Sequence, residues 1–258
     1  MHLDGGVRGD VLALQAWWRA VAAIPRDVSD EGVAAAKLAW WRSQLGLCME
    51  GRAEHPLLRA LHPALQRQPA VLALLLRALD HVDDTLRQSR WMDEAAVRAH
   101  LEAGPGSIAR ASALLAGAPH EPDPSWAGAL GVATARVTML RDLGRTLRLG
   151  VVPFPIDVLA AHEVKARALL DREASASVRA LLLTGCAQAQ EALDTAREAR
   201  PRAVGALRPS VRMAAAFDRM ARAHLRELRQ AETALLEQRI TLPPLRLLWE
   251  AWRGQRGA

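Results

Sequence analysis

A chain of 258 residues, half of them apolar, can bury a large core without disulfides or a structural metal. Its formal charge of +6 is carried almost wholly by arginine, since Lys37 and Lys165 are the only lysines. These arginines are scattered and no aromatic and basic RNA-reading motif accompanies them, which excludes nucleic acid as an expected partner.

Tyrosine is absent and phenylalanine occurs twice, and no segment alternates like a strand. Apolar residues instead recur three and four apart, so the expected class is all-α. Helices are expected over residues 10–24, 30–50, 56–67, 70–89, 93–117, 125–148, 155–162, 175–198, 208–238 and 243–253, with breaks at proline or glycine. Ser29 or Asp30 can cap the second helix, and Pro243 and Pro244 suit the first turn of the last. The stretch from Gly117 to Ser125 reads as a loop. With no repeat, low-complexity tract or Gly/Ser linker, residues 1–258 read as a single domain. No N-terminal stretch resembles a signal peptide, and the most apolar window, Val71 to Leu79, already contains Arg77. The expected location is cytoplasmic, peripheral to the inner membrane if a surface helix binds lipid. Cys48 and Cys186 have neither C-x-x-C nor Cys/His spacing and read as small buried hydrophobes.

Four segments, in order, resemble the squalene/phytoene synthase family, whose members join two prenyl diphosphates head to head. AWWRAVAAIPRD, residues 16–27, stands where the family carries an aromatic residue, an arginine and then its first D-D-x-x-D motif. KLAWWRSQL, residues 37–45, is similar to the R-L-x-W-W-R-x-x-L form of bacterial members. Asp80 onward through WMDEAAVRAHLEAGPGS resembles the family's acidic helix and the V-A-G-x-V-G helix after it. TMLRDLGRTLRLGVVPFPIDVLAAHEV, residues 138–164, resembles the second motif, N-x-L-R-D-x-x-E-D, and its trailing segment. The tail ITLPPLRLLWEAWR is similar to the closing segment of bacterial members. The resemblance implies an isoprenoid synthase helical bundle around a central, mostly apolar cavity.

In the family, carboxylates four apart on two helices hold magnesium against the diphosphate, which the ion turns into a leaving group. The resemblance places Ala22, Ala23 and Arg26 at the three acids of the first motif, with Pro25 expected to kink or end that helix. A regular helix turns Asp27 about 100° from Arg26. In the second motif Asp142 remains, while Thr138, Arg145 and Thr146 stand for the asparagine, glutamate and last aspartate. Six acid positions that would sum to −6 therefore sum to +1, from Asp142 against Arg26 and Arg145. At an effective dielectric of about 20, each arginine about 6 Å from a magnesium ion opposes it by about 5 kcal/mol. The expected cofactor set is therefore empty, magnesium entering only if synthase chemistry is retained.

Asp80, Asp83 and Asp84 in DHVDD, around His81, could mimic a metal box, but ion pairing is the expected fate, with Asp83 facing Arg145 or Arg26. Asp142 and Asp83 are the candidate catalytic acids. Arg19, Arg26, Arg141 and Arg145, with Arg148, are candidate diphosphate ligands through the guanidinium fork, against pairing with Asp142, Glu31 or solvent. Trp17/Trp18 and Trp40/Trp41 read as core packing between the first two helices, with a prenyl-chain lining as the alternative. Trp249 and Trp252, near Arg246, Arg253 and Arg256, suit a membrane-interface helix or packing back on the bundle. His55, His62, His100, His120 and His162 form no metalloprotease pair, and Gly104 and Gly106 occupy a kink or close-packing position rather than a nucleotide loop.

Three functional readings follow. The first is a family member without synthase chemistry that binds or assembles a protein client, resembling the phytoene-synthase-like assembly factors of respiratory complex I. The second is an active prenyltransferase on farnesyl or geranylgeranyl diphosphate in terpenoid, carotenoid or hopanoid biosynthesis. The third is a prenyl-lipid binding protein.

Overall fold

The structure, a computed structural model, describes residues 5–88, 90–117 and 124–257. Among these residues there is no strand. The chain divides into two compact units, each assembled from several stretches: residues 1–88, 102–131 and 201–211, and residues 89–101, 132–200 and 212–258.

The first unit begins with α1 (Gly5–Ala22), the short α2 (Ile24–Asp27), α3 (Glu31–Met49), α4 (Pro56–Arg67) and α5 (Ala70–Arg87). Asp30, not Ser29, caps α3, its Oδ1 accepting the Val33 N–H at 2.8 Å. Pro56 opens α4, where a missing N–H costs nothing. Each helix buries one stripe, such as Leu58, Leu61 and Leu65 of α4 and Val71, Leu75, Leu79 and Val82 of α5. Burying such side chains stabilises the unit by about 1.5–3 kcal/mol each.

Along the chain α6 (Glu94–Leu101) runs through a π turn (Glu102–Gly106) into α7 (Ser107–Leu115), making continuous the helix expected over 93–117. Pro105 lies in the π turn, which accommodates the ring a regular helix would reject. A Cβ on Gly104 would come within 2.4 Å of the His81 ring, so this glycine does serve close packing. Of the expected loop after α7, residues 118–123, with His120, lie outside the described residues.

The rest is α8 (Ser125–Arg141), α9 (Leu143–Arg148), α10 (Ile156–Ala161), α11 (Ala166–Leu170), α12 (Ala176–Glu198), a 3-10 turn (Gly205–Leu207), α13 (Arg208–Ala231), a second 3-10 segment (Glu232–Leu236) and α14 (Pro244–Arg256). In the second unit Val97, Leu101 and Val132 form a cluster with Trp91 and Met139. Helices α12, α13 and α14 are joined by charge. Buried Asp218 binds Arg197 and Arg222, and buried Glu250 binds Arg219 and Arg226.

Candidate functional site

The first motif lies where α1 stops. Pro25 has no N–H to offer the Val21 carbonyl, so α1 ends at Ala22. The N–H groups of Arg26 and Asp27 then both close on the Ala23 carbonyl, at 3.1 and 2.9 Å. The expected break is there, but the expected separation of Arg26 and Asp27 is not. The arginine curls onto its neighbour, with Nε 2.7 Å from Oδ1 and Nη2 3.2 Å from Oδ2. A long, jointed side chain bridges the 100° that separates the two Cβ directions.

The second motif, in the other unit, contains a helix break where one continuous helix was expected. Asp142 leaves the helical region at φ −98° and ψ 8°, ending α8 and opening α9. Its carbonyl accepts the Arg145 and Thr146 N–H groups, both at 3.0 Å. Thr146 also turns its hydroxyl onto that carbonyl at 3.1 Å, and Thr138 turns its own onto the Thr134 carbonyl at 3.0 Å. The two hydroxyls at former acid or amide positions thus serve their own helices. Arg145 is exposed and makes no ion pair among the described residues.

Asp142 is held by two guanidinium groups. Arg141 donates Nε to Oδ1 at 3.0 Å and Nη2 to Oδ2 at 3.1 Å, and Arg239 donates Nε to Oδ1 at 2.7 Å. Burial pushes the carboxyl upward, but the hydrogen bonds and charges of Arg141 and Arg239 outweigh it and hold it below the ordinary carboxylate value. His224 belongs to the same electrostatic cluster. It is buried on α13, with Nδ1 donating to the Met220 carbonyl at 3.0 Å. Burial lowers its basicity, as do the charges of Arg141 and Arg239, against the opposing pull of Met220 and Asp142.

Sequence reading missed Arg239 and His224. Arg239 directly precedes the ITLPP tail, whose resemblance to bacterial members carried no role for its neighbours. Arg148 donates Nη1 to the Glu237 carbonyl at 2.8 Å, tying α9 to this same segment. Gly144 permits the close approach: a Cβ there would stand 2.8 Å from the Leu236 carbonyl oxygen.

The other candidates are dispersed. Asp83 pairs with Arg87 one turn along α5 at 2.9 Å, where Arg145 or Arg26 had been expected, because an i, i+4 partner on its own helix is already in reach. Asp80 pairs with Arg42 at 2.7 Å. Arg19 is exposed, with no ion pair among the described residues. No three His, Cys, Asp or Glu side chains among those residues are grouped to hold a metal ion. A pocket in the second unit, lined in part by Glu94, Met139, Leu140 and Phe154, encloses about 40 Å³. That is far below the roughly 300 Å³ of a small-molecule site.

The tryptophan pairs divide. Trp17 and Trp41 are buried and meet edge to face at 6.3 Å, whereas Trp40 is exposed and Trp18 half-buried against His81. Core packing therefore describes one member of each pair. Cys48 and Cys186 are buried free thiols, as expected.

The helix order, with no strand among the described residues, is that of an all-α protein of the isoprenoid synthase fold. The squalene/phytoene synthase family model matches residues 1–246, and the chain belongs to that family. Among solved structures it is similar to a dehydrosqualene synthase in complex with ligand, at 20% identity and a TM-score of 0.84 over 99% of this chain and 88% of that one. It is also similar to the squalene synthase HpnC from Alicyclobacillus acidocaldarius, at 18% identity and a TM-score of 0.68 over 95% and 84%. No curated protein matches the chain.

Proposed function

We propose that this chain is a squalene/phytoene synthase family member without head-to-head condensation chemistry, acting as a binding or assembly protein. The observation that carries this reading is the clasp on Asp142. The one carboxylate left at the six acid positions already has two arginines on it, at 2.7 and 3.0 Å. A divalent cation would have to displace guanidinium groups from it. Two methyl groups, two arginines and one back-bonded hydroxyl at the other five positions offer a hard octahedral ion almost no oxygen ligands. These residues do not fit a magnesium and diphosphate cluster, and the reading contains no step through one.

The test is magnesium-dependent pyrophosphate release from farnesyl or geranylgeranyl diphosphate by the full chain. None above the protein-free rate is expected. Release that Asp142→Ala abolishes would overturn the reading in favour of an active prenyltransferase.

A second reading is metal-independent binding of a prenyl diphosphate, favoured by the exposed Arg145 lying three residues from the Arg141, Asp142 and Arg239 group. Calorimetry with farnesyl diphosphate in the absence of magnesium tests it. Heat that Arg145→Ala removes would support it, and no heat at millimolar ligand would end it.

A further inference from the structure

Helix α14 wears its apolar stripe outward. Leu245, Leu248, Trp249 and Trp252 fall at i, i+3, i+4 and i+7, and their exposures are 80%, 66%, 54% and 44%. The residues it buries are Glu250 and Gly254. Burial is possible for Glu250 because Arg219 and Arg226 each bind it at 3.1 Å, and for Gly254 because a Cβ would press within 2.5 Å of the Ala215 carbonyl. The helix is thus seated by a charge network and a close backbone approach, leaving its greasy face free.

Cations border that face. Trp249 and Trp252 stack at 5.1 Å, and the Arg253 and Arg256 guanidinium carbons lie 5.9 and 4.1 Å from their respective ring centroids. Glu250 is the only acid on α14, and it points inward, so the outward side carries no negative charge. Beside the stripe lies a cavity of about 250 Å³ lined by Arg197, Arg200, Asp218, Arg219 and Arg253, four guanidinium groups against one carboxylate. Asp218 is itself occupied by Arg197 and Arg222. Arg200 is half-buried and makes no ion pair among the described residues, and burial, with Arg197 and Arg222, outweighs the attraction of Asp218 and works against its charge. Arg253 belongs to both features, bordering the Trp249 ring and lining the cavity.

We propose that α14 docks the protein on an anionic phospholipid surface, with the apolar stripe in the headgroup region and the arginine-lined cavity receiving a headgroup phosphate. Amphipathic helices with tryptophan and leucine on one side and arginine at its border are bound by apolar burial and by attraction to acidic lipid together. No helix among the described residues is long and apolar enough to cross a membrane, so the contact is peripheral. The inference stands whether or not the chain retains chemistry.

The experiment is cosedimentation of the full chain with vesicles of phosphatidylcholine alone and of equal parts phosphatidylcholine and phosphatidylglycerol, with tryptophan quenching by brominated lipid. Binding to the mixed vesicles is expected, weakening with salt, with quenching of Trp249 and Trp252. Trp249→Ala/Trp252→Ala, or Leu245→Ser/Leu248→Ser, should reduce binding about tenfold, since these exposed side chains supply the buried area. Arg200→Ala should weaken binding to the mixed vesicles severalfold, and excess inorganic phosphate should compete. Unchanged melting of each variant shows that its fold is intact. Failure to bind mixed vesicles, or binding that survives both double variants, would overturn the proposal. So would a dimer in sedimentation equilibrium that the double variants dissolve, for the occupant would then be a second copy. Arg200→Ala with undiminished vesicle binding would remove the headgroup from the cavity, and phosphate binding without vesicle binding would assign it to free anions.

Discussion

Arg239 places its Nε 2.7 Å from Oδ1 of Asp142 across 97 positions of sequence, closing a clasp begun by the adjacent Arg141. The carboxylate is thereby favoured in the folded state. Unfolded, it takes up its proton near the ordinary value of 3.8; folded, it does so only at lower pH. The stability it adds is complete above that ordinary value and is lost as pH falls from there through the folded value. Asp142→Asn should flatten this part of the acid limb in urea titrations and cost about 1–2 kcal/mol at neutral pH, between the limits for exposed and buried pairs. An unchanged acid limb would mean that the clasp does not persist in solution.

His224 titrates in a separate window. Its folded value also lies below the ordinary 6.5, so on acidification the unfolded chain binds a proton before the native one does. Stability is therefore full above about 6.5, falls as pH drops from there to the folded value, and stays at the reduced level below it. His224→Gln can keep a donor for the Met220 carbonyl and should abolish this step while leaving the carboxylate step intact. Persistence of the step would assign it to another histidine.

The tryptophan pairs set a buried ring on α1 against an exposed one on α3. Trp17 is fully buried, and Trp17→Ala should cost about 3–5 kcal/mol in chemical denaturation. Trp40 is 42% exposed and meets the rings of Trp41 and His55 in T-shaped pairs, so Trp40→Ala should cost about 1 kcal/mol. Equal losses would contradict the buried placement of Trp17 and the exposed placement of Trp40.

Helical period made much of this architecture legible, and α4 occupies residues 56–67 as expected. Period alone did not mark the break at Asp142 or the 3-10 turn after α13, where Glu232 adopts a φ of 46°, because neither carries a proline or glycine at the break. Helix α11 has only five residues, too few to show a period. The loss of acids was legible through the family resemblance, but the partner of the surviving one was not, since nothing local joins Arg239 to Asp142. In α14 the sequence singled out Trp249 and Trp252 and left open whether they face outward; that they do depends on Arg219 and Arg226, which make burial of Glu250 tolerable.

Charge is not uniform in its effect on stability. Asp218 is buried between Arg197 and Arg222, and Asp218→Ala leaves the poorly solvated Arg222 with the more exposed Asp194 as its ion-pair partner among the described residues. A loss of about 3 kcal/mol is expected. Asp80→Ala breaks an exposed pair with Arg42 and should stay within about 1 kcal/mol. Urea midpoints at neutral pH compare the two, and a small loss at Asp218 would show that its network merely decorates α13.

Gly144 tests whether the clasp depends on backbone packing. A Cβ there would meet the Leu236 and Leu235 carbonyl oxygens at 2.8 and 2.9 Å, and backbone cannot rotate aside as a side chain can. Gly144→Ala should therefore push away the 3-10 segment that leads to Arg239, costing about 1–3 kcal/mol through overpacking. It should also reduce the stability that Asp142 contributes in the acid limb, because Arg239 would be carried off with the segment. Gly46→Ala is the control: its site on α3 is open within 4 Å, and alanine there should stabilise by about 0.5–1 kcal/mol. If Gly144→Ala melts like the parent and keeps its acid limb, α9 approaches Leu235 and Leu236 loosely enough to admit a methyl group, and Asp142 is held by Arg141 without help from the tail.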